Sequence, residues 1–250
     1  QNHKLRGKKP LNKIYKVIDG YGKETLIGYK PLTDSSVYED TDNVVRDFED
    51  YGNGRYIYDV VVPTYVVHTY HEGVEHFKYK YYNWKAQAGI GSLGFSGVKI
   101  YHANTGLETY TSYRQYYPYT GQVGYTGKSL LTHSGEFVFD FQCDGENYVV
   151  GCDRSFDNLS ELSSKKLSST WKYYKDNELK EGNQIFSYRS ETKDYEYTDE
   201  TLLSEKVSEI IEVDIFGNVI EKIDSITDYT YLNEKIFTTQ TSSMYDFYAS

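Results

Sequence analysis

The residues best suited to chemistry gather in three places. His68, His71 and His76 lie close together, and His71-Glu72-Gly73-Val74-Glu75-His76 approaches a zinc motif. The helical form of that motif needs histidines four apart, with glutamate beside the first, so that both imidazoles share one face. Here the gap is five and a glycine sits inside it, which reads as a solvated hairpin tip. A hairpin would still set His71 opposite His76 with a carboxylate nearby. Gly94-Phe95-Ser96-Gly97 falls short of a nucleophile elbow, which needs its second glycine one place later and a strand-to-helix turn. No partner histidine stands out for Ser96. Glu108, Glu136 and Asp140 are carboxylates whose spacing selects no acid–base pair. There is no phosphate-binding loop and no dinucleotide fingerprint. The expectation is therefore a protein that is not an enzyme, with no catalytic residue, no metal ligand and no cofactor.

The elements that would position these residues read as strands. Val98 and Ile100 alternate with Lys99 and Tyr101. Ala103-Asn104-Thr105-Gly106 turns the chain, with Gly106 free to take a positive φ. Leu107 to Tyr113 returns as a β-branched and aromatic strand, and Tyr117-Pro118-Tyr119-Thr120-Gly121 ends it, because proline cannot serve a central ladder position. Earlier, Lys13 to Ile18 alternates, Asp19-Gly20-Tyr21-Gly22 turns, and Thr25 to Tyr29 returns until Pro31. Thr33 to Gly54 is acidic and poor in aliphatics, and reads as a solvated loop; its carboxylate spacing does not match a twelve-residue calcium loop. Val60-Val61-Val62-Pro63 and Tyr65-Val66-Val67 read as buried strand interrupted at the proline. Phe77 to Tyr81 alternates aromatic and lysine, which predicts one packed and one wet face.

Lys128 to Gly135 and Glu136 to Val150 read as a further hairpin pair. Cys143 and Cys152 lie on its opposite arms, about 13 Å out of register at strand rise, and so read as free thiols. Ser155 to Glu181 is the least regular stretch: Phe156, Leu159 and Leu162 have helical spacing, but Thr170 to Tyr174 reads as strand, so strand or irregular structure is expected there. Thr201 to Val213 fits both a helix face and alternation. Tyr229 to Tyr248 is Tyr- and Thr-rich strand. Turns recur at Asp19-Gly20, Asn53-Gly54, Thr105-Gly106, Asp144-Gly145, Glu181-Gly182 and Gly217-Asn218, the rhythm of a long β-meander or solenoid-like strip.

Composition agrees. The 250 residues include 29 Tyr, 11 Phe and 2 Trp but one Met, and aromatic rings at that density suit a pleated, half-buried surface. The net charge is −10. No basic stripe suited to nucleic acid accompanies it, the basic start from His3 to Lys9 reads as a solvated end, and no run has the length of a membrane span. Residue 1 is Gln with no apolar leader behind it, which reads as a piece of a longer chain.

Four separated strings, in order, carry a resemblance. They are Ile18-Asp19-Gly20-Tyr21-Gly22 followed by Ile27-Gly28-Tyr29-Lys30-Pro31-Leu32-Thr33-Asp34 and Val37-Tyr38; Leu93-Gly94-Phe95 with a hairpin ending in Thr105-Gly106; Tyr113-Arg114-Gln115-Tyr116-Tyr117-Pro118-Tyr119-Thr120-Gly121; and Val213-Asp214-Ile215-Phe216-Gly217-Asn218-Val219. Together they span roughly residues 10 to 220, and this set resembles the RHS/YD-repeat proteins of the Tc toxin B-component and SpvB type. The resemblance implies strands around Phe216-Gly217-Asn218. It also implies an all-β fold in which a long antiparallel strip of hairpins, one continuous region over residues 1–250, forms part of a cocoon-like shell. That shell would enclose a C-terminal toxic effector polypeptide. The implied partners are the remainder of the protein's own RHS chain and a toxin-complex subunit carrying the effector, and the implied location is extracellular. An acidic wall would suit an enclosed basic cargo if the acids faced inward. Ser96-Gly97 departs from the family's usual basic residues, and the family's C-terminal self-cleaving aspartates have no counterpart here. The alternative is an extracellular, tyrosine-rich β-sheet module that binds glycans or a receptor, recognisable by exposed rings clustered in one groove. A hydrolase on a β-scaffold would need convergent polar groups in a pocket.

Overall fold

The computed structural model describes residues 12–40, 57–116, 118–132, 163–178, 185–199, 201–214, 218–230 and 235–242. Cys143, Cys152, Glu136, Asp140, Gly217 and the Phe156–Leu162 helical spacing fall outside the described residues, as do the turns expected at Asn53-Gly54, Asp144-Gly145 and Glu181-Gly182.

All fourteen described strands belong to one sheet, and no helix occurs among the described residues. They are β1 (Lys16–Ile18), β2 (Glu24–Pro31), β3 (Tyr38–Glu39), β4 (Ile57–Asp59), β5 (Tyr65–Glu72), β6 (Glu75–Gln87), β7 (Gly91–His102), β8 (Leu107–Tyr113), β9 (Val123–Thr132), β10 (Ser163–Glu178), β11 (Ile185–Thr198), β12 (Thr201–Val213), β13 (Val219–Asp228) and β14 (Lys235–Ser242). From β5 onward each strand pairs antiparallel with the next in sequence, so spatial order repeats chain order. The sheet is open, running from β1 at one edge to β14 at the other. The fold is thus the all-β antiparallel meander expected from the turn rhythm.

Local chemistry sets the turns. Asp19 Oδ1 accepts from the amides of Tyr21 and Lys23 at 2.9 and 2.8 Å, closing the first hairpin as an Asx turn. Gly106 sits at φ +71°, and its amide donates to His102 O at 2.9 Å. Only a residue without Cβ enters that region freely. Asp214 repeats the Asx device by accepting from the Asn218 amide at 2.8 Å.

One excursion breaks the meander. Between β2 and β5 the chain leaves the ladder, and β3 and β4 return to the edge of β6 beyond the point where β5 stops. β3 pairs parallel through Tyr38↔Tyr81, and β4 antiparallel through Tyr58↔Ala86. The excursion supplies the densest core: Leu32, Val37 and Tyr38 are buried beneath Val66, Tyr81, Trp84 and Phe95. Phe95 lies 4.9 Å from the Tyr81 ring and 5.7 Å from Trp84. The Trp84 amide donates to Tyr38 Oη at 3.0 Å, and burial pushes the Tyr81 phenol up to about 12.

Three expectations are overturned here. Residues 33–40 are not solvated loop: Val37 is fully buried. Conversely, Val60 to Pro63 is neither strand nor buried, with Val61 65% exposed. Pro63 lacks a donor, and Val60 spends its amide on Trp84 O at 2.8 Å, so the run passes along the surface. The expected wet face of Phe77 to Tyr81 is also absent, since every residue of that segment is half-buried.

Lys80 lies over the Tyr82 ring, 5.7 Å from its centroid, and Tyr82 opens a ladder of rings across the sheet. Tyr82 meets Tyr110 edge-on at 5.8 Å, Tyr110 meets Tyr125 at 6.3 Å, and Tyr125 meets Trp171 at 4.5 Å. Glycines make room for it. A Cβ on Gly97 would stand 2.5 Å from Tyr110 Oη, and one on Gly127 would stand 2.3 Å from Tyr125 Oη. Each ring lies flat over backbone where a side chain would otherwise project.

Candidate functional site

The histidine tip forms as the hairpin reading allowed. Gly73 takes φ +61° in the β5–β6 turn, His71 pairs with His76 across the ladder, and their Nδ1 atoms share a hydrogen bond. Burial first, and His76 second, push the His71 imidazole below its ordinary pKa. Glu75 turns instead to His102 Nε2, and Thr105 Oγ1 meets His102 Nδ1 at 2.8 Å. His102 stacks on Phe77 at 4.6 Å. Among the described residues no group of three or more His, Cys, Asp or Glu is arranged to hold a metal ion.

Ser96 lies within β7 rather than on a strand-to-helix turn. Asn83 Nδ2 donates to its hydroxyl at 2.9 Å, and the hydroxyl donates to Tyr82 O at 3.4 Å. Glu108 pairs with Lys99 at 3.1 Å. Neither is set up as a nucleophile or an acid–base partner.

The described motif residues lie at turns, strand ends and in the core. Asp19, Gly20 and Gly22 make the first turn, with Gly22 at φ +81°. Tyr29 donates through Oη to Ile14 O at 2.9 Å, and Pro31 ends β2. Leu93 is buried, Gly94 takes φ +78° and Phe95 joins the core. Tyr113 ends β8; Pro118 and Gly121, the latter at φ +80°, shape the corner behind it. The second and third strings touch. Gln115 Nε2 donates to Asn83 O at 2.8 Å and to Gly94 O at 2.7 Å, tying the corner to the place where Asn83 (φ +45°) and Gly94 distort the β6–β7 ladder.

The feature missed in sequence is a groove of about 350 Å³. Pairing between β7 and β8 stops at Gly97↔Ser112. Beyond that point the first half of β7, with β6 and β4, parts from β8, β9 and β10, and the corner from Arg114 to Gln122 lies in the fork. Tyr58 on β4 and Trp171 on β10 line the groove with rings 53% and 43% exposed. Lys85 and Asp59 form an ion pair at 2.8 Å, the lysine side chain buried and the carboxylate accessible. Ser96 and Ser112 add hydroxyls. Arg114 is half-buried over the Tyr116 ring, 5.9 Å from its centroid, and no carboxylate pairs with it among the described residues. No local spacing signals this site, because its residues come from separate segments scattered between Ile57 and Trp171.

No protein-family model, no curated protein and no solved structure matches the chain. No helix among the described residues is long and apolar enough to cross a membrane, which leaves strand-based crossing unaddressed.

Proposed function

We propose that this chain is a length of wall in a larger RHS-type β-shell, and that the shell encloses a C-terminal toxic effector polypeptide. The observation that carries the reading is the open meander. Its spatial order follows chain order, and its outer strands β1 and β14 pair on one side only among the described residues. Both edge regions expose apolar side chains, Ile14 and Ile18 at one and Ile236 and Phe237 at the other. Exposed apolar edges invite association, and more sheet would cover them. Rings spread over four consecutive pairings also suit a wall better than a single binding patch. The order of the motif strings supports the family, and the contact between Gln115 and Gly94 gives two of those strings a shared structural task. Under this reading the partners are the rest of the protein's RHS chain and a toxin-complex subunit carrying the effector, and the protein acts after secretion.

Along β11, Glu191 and Glu196 point to opposite faces by strand alternation, as do Glu209 and Asp224 on the paired β12 and β13. These three strands therefore carry no one-sided acidic lining.

Limited proteolysis and intact mass of the natively produced protein test the reading. The expected result is a protease-resistant species much larger than this chain that retains a cleaved C-terminal fragment, released only on denaturation. A soluble monomer of this chain alone, with nothing trapped, refutes it.

A further inference from the structure

We infer that the groove between the β4–β6–β7 arm and the β8–β9–β10 arm is a binding site for an acidic pyranose, a sugar ring bearing a carboxylate. The inference is independent of the shell reading, since it rests on the groove alone.

The volume, about 350 Å³, lies at the small end of ligand sites, which suits one or two sugar rings. A pyranose has apolar C–H faces and a rim of hydroxyls that both donate and accept. The groove offers both kinds of surface. Tyr58 and Trp171 present exposed rings from its two arms, and rings of this kind supply apolar area with a fixed orientation. Between them, Asp59 presents accessible acceptor oxygens while Lys85 holds it in place from beneath. The Ser112 hydroxyl borders the same space.

Arg114 decides the charge of the ligand. A guanidinium is always protonated and offers a planar fork that matches a carboxylate. Lys166 meets Tyr197, but several other lysines of the sheet meet anions: Lys16 meets Glu24, Lys23 meets Glu72, Lys80 meets Glu39 and Lys99 meets Glu108. Arg114 instead lies over the Tyr116 ring and borders the groove. Its position is set by the backbone, since its amide donates to Gln122 O at 2.8 Å and its carbonyl accepts from the Gly121 amide at 2.8 Å. Gly124 leaves space for its guanidinium, a Cβ there meeting Arg114 Nε at 3.0 Å and Cζ at 3.4 Å. The cation is thus placed by the corner rather than by an anion of the protein.

Glucuronic acid, with glucose as the neutral comparison, is titrated into the natively produced protein and followed by saturation-transfer NMR. Binding of glucuronate at least about tenfold tighter than glucose is expected, the size of one charge-assisted hydrogen-bond contribution. Arg114→Gln should abolish that preference, bringing the affinity for glucuronate down to that for glucose. Tyr58→Ala, at an exposed ring whose removal leaves the core intact, should weaken both sugars. Equal affinity for the two sugars, or a preference that survives Arg114→Gln, overturns the inference. So does binding of a peptide C-terminal carboxylate with neither sugar bound, which would make the groove a polypeptide site.

Discussion

Replacing Gly97 with alanine tests whether the ring ladder organises the sheet. The new Cβ would lie 2.5, 2.7 and 2.9 Å from Oη, Cε2 and Cζ of Tyr110, where carbon contacts settle at about 3.5–4.0 Å. The ring must therefore lift by about 1 Å. It is held between Tyr82 and Tyr125, so lifting it loosens two aromatic contacts worth about 0.5–1.5 kcal/mol each, on top of an overpacking cost of about 1–3 kcal/mol. Removing a strand glycine returns about 0.5–1 kcal/mol of backbone entropy. The net expectation is a destabilisation of about 2 kcal/mol, read by urea titration with the fluorescence of Trp84 and Trp171 as the probe. Gly20→Ala is the control: no atom lies within 4 Å of its Cβ, and its stability should move by less than about 0.5 kcal/mol. The decisive arm is Gly97→Ala in a Tyr110→Ala background, where the clash has no partner and the substitution should be neutral or slightly stabilising. An equal cost in both backgrounds would refute the ring-over-glycine account.

Val37→Ala should cost about 2 kcal/mol in the same titration, because the side chain is fully buried beneath Trp84 and Phe95; a surface-like change would show that the excursion is not core. Gln115→Leu removes both bonds that tie the corner to Asn83 O and Gly94 O, at about 1 kcal/mol each, and hydrogen exchange of the β6–β7 amides should quicken in the region of Asn83 and Gly94 while β12–β13 is unchanged. Because the folded-state pKa of His71 is depressed by burial and by His76, the unfolded chain binds more protons as pH falls from about 6.5, and stability should be present above that value and decline below it. A thermal melt series between pH 8 and pH 5 should show that decline, weakened in His71→Gln; identical slopes for the two proteins would count against it.

The hairpin from Val98 to Tyr113 was legible because its signals are local. Gly106 supplies the left-handed turn, and alternation continues on both sides of it. The strands at Ser163–Glu178 and Thr201–Val213 were legible only as a choice against helix, and the ladder with their neighbours settles them. The excursion was not legible. Leu32, Val37 and Tyr38 sit among acids that dominate any local reading, and their burial is decided by aromatic residues over forty positions away. Val61 and Val62 mislead in the opposite sense, because an apolar run says nothing of where a proline will steer it. The histidine facing pair followed from hairpin register alone. The groove did not, because Tyr58, Arg114 and Trp171 meet only where β7 and β8 part.

A sheet laid down in chain order also has a mechanical character. Load applied at its C-terminal end acts on β14 as on the free end of a zipper, opening one row of bonds at a time against β13, then β13 against β12. Each step exposes only the next strand, so resistance should come as a series of small, similar yields rather than one large rupture. The series should stop at β6. That strand is gripped along one edge by β5, β3 and β4 in succession, and by β7 along the other. With Leu32, Val37 and Tyr38 wedged beneath it, this end of the strip behaves as a fixed anchorage from which the remaining strands can be unrolled and relaid.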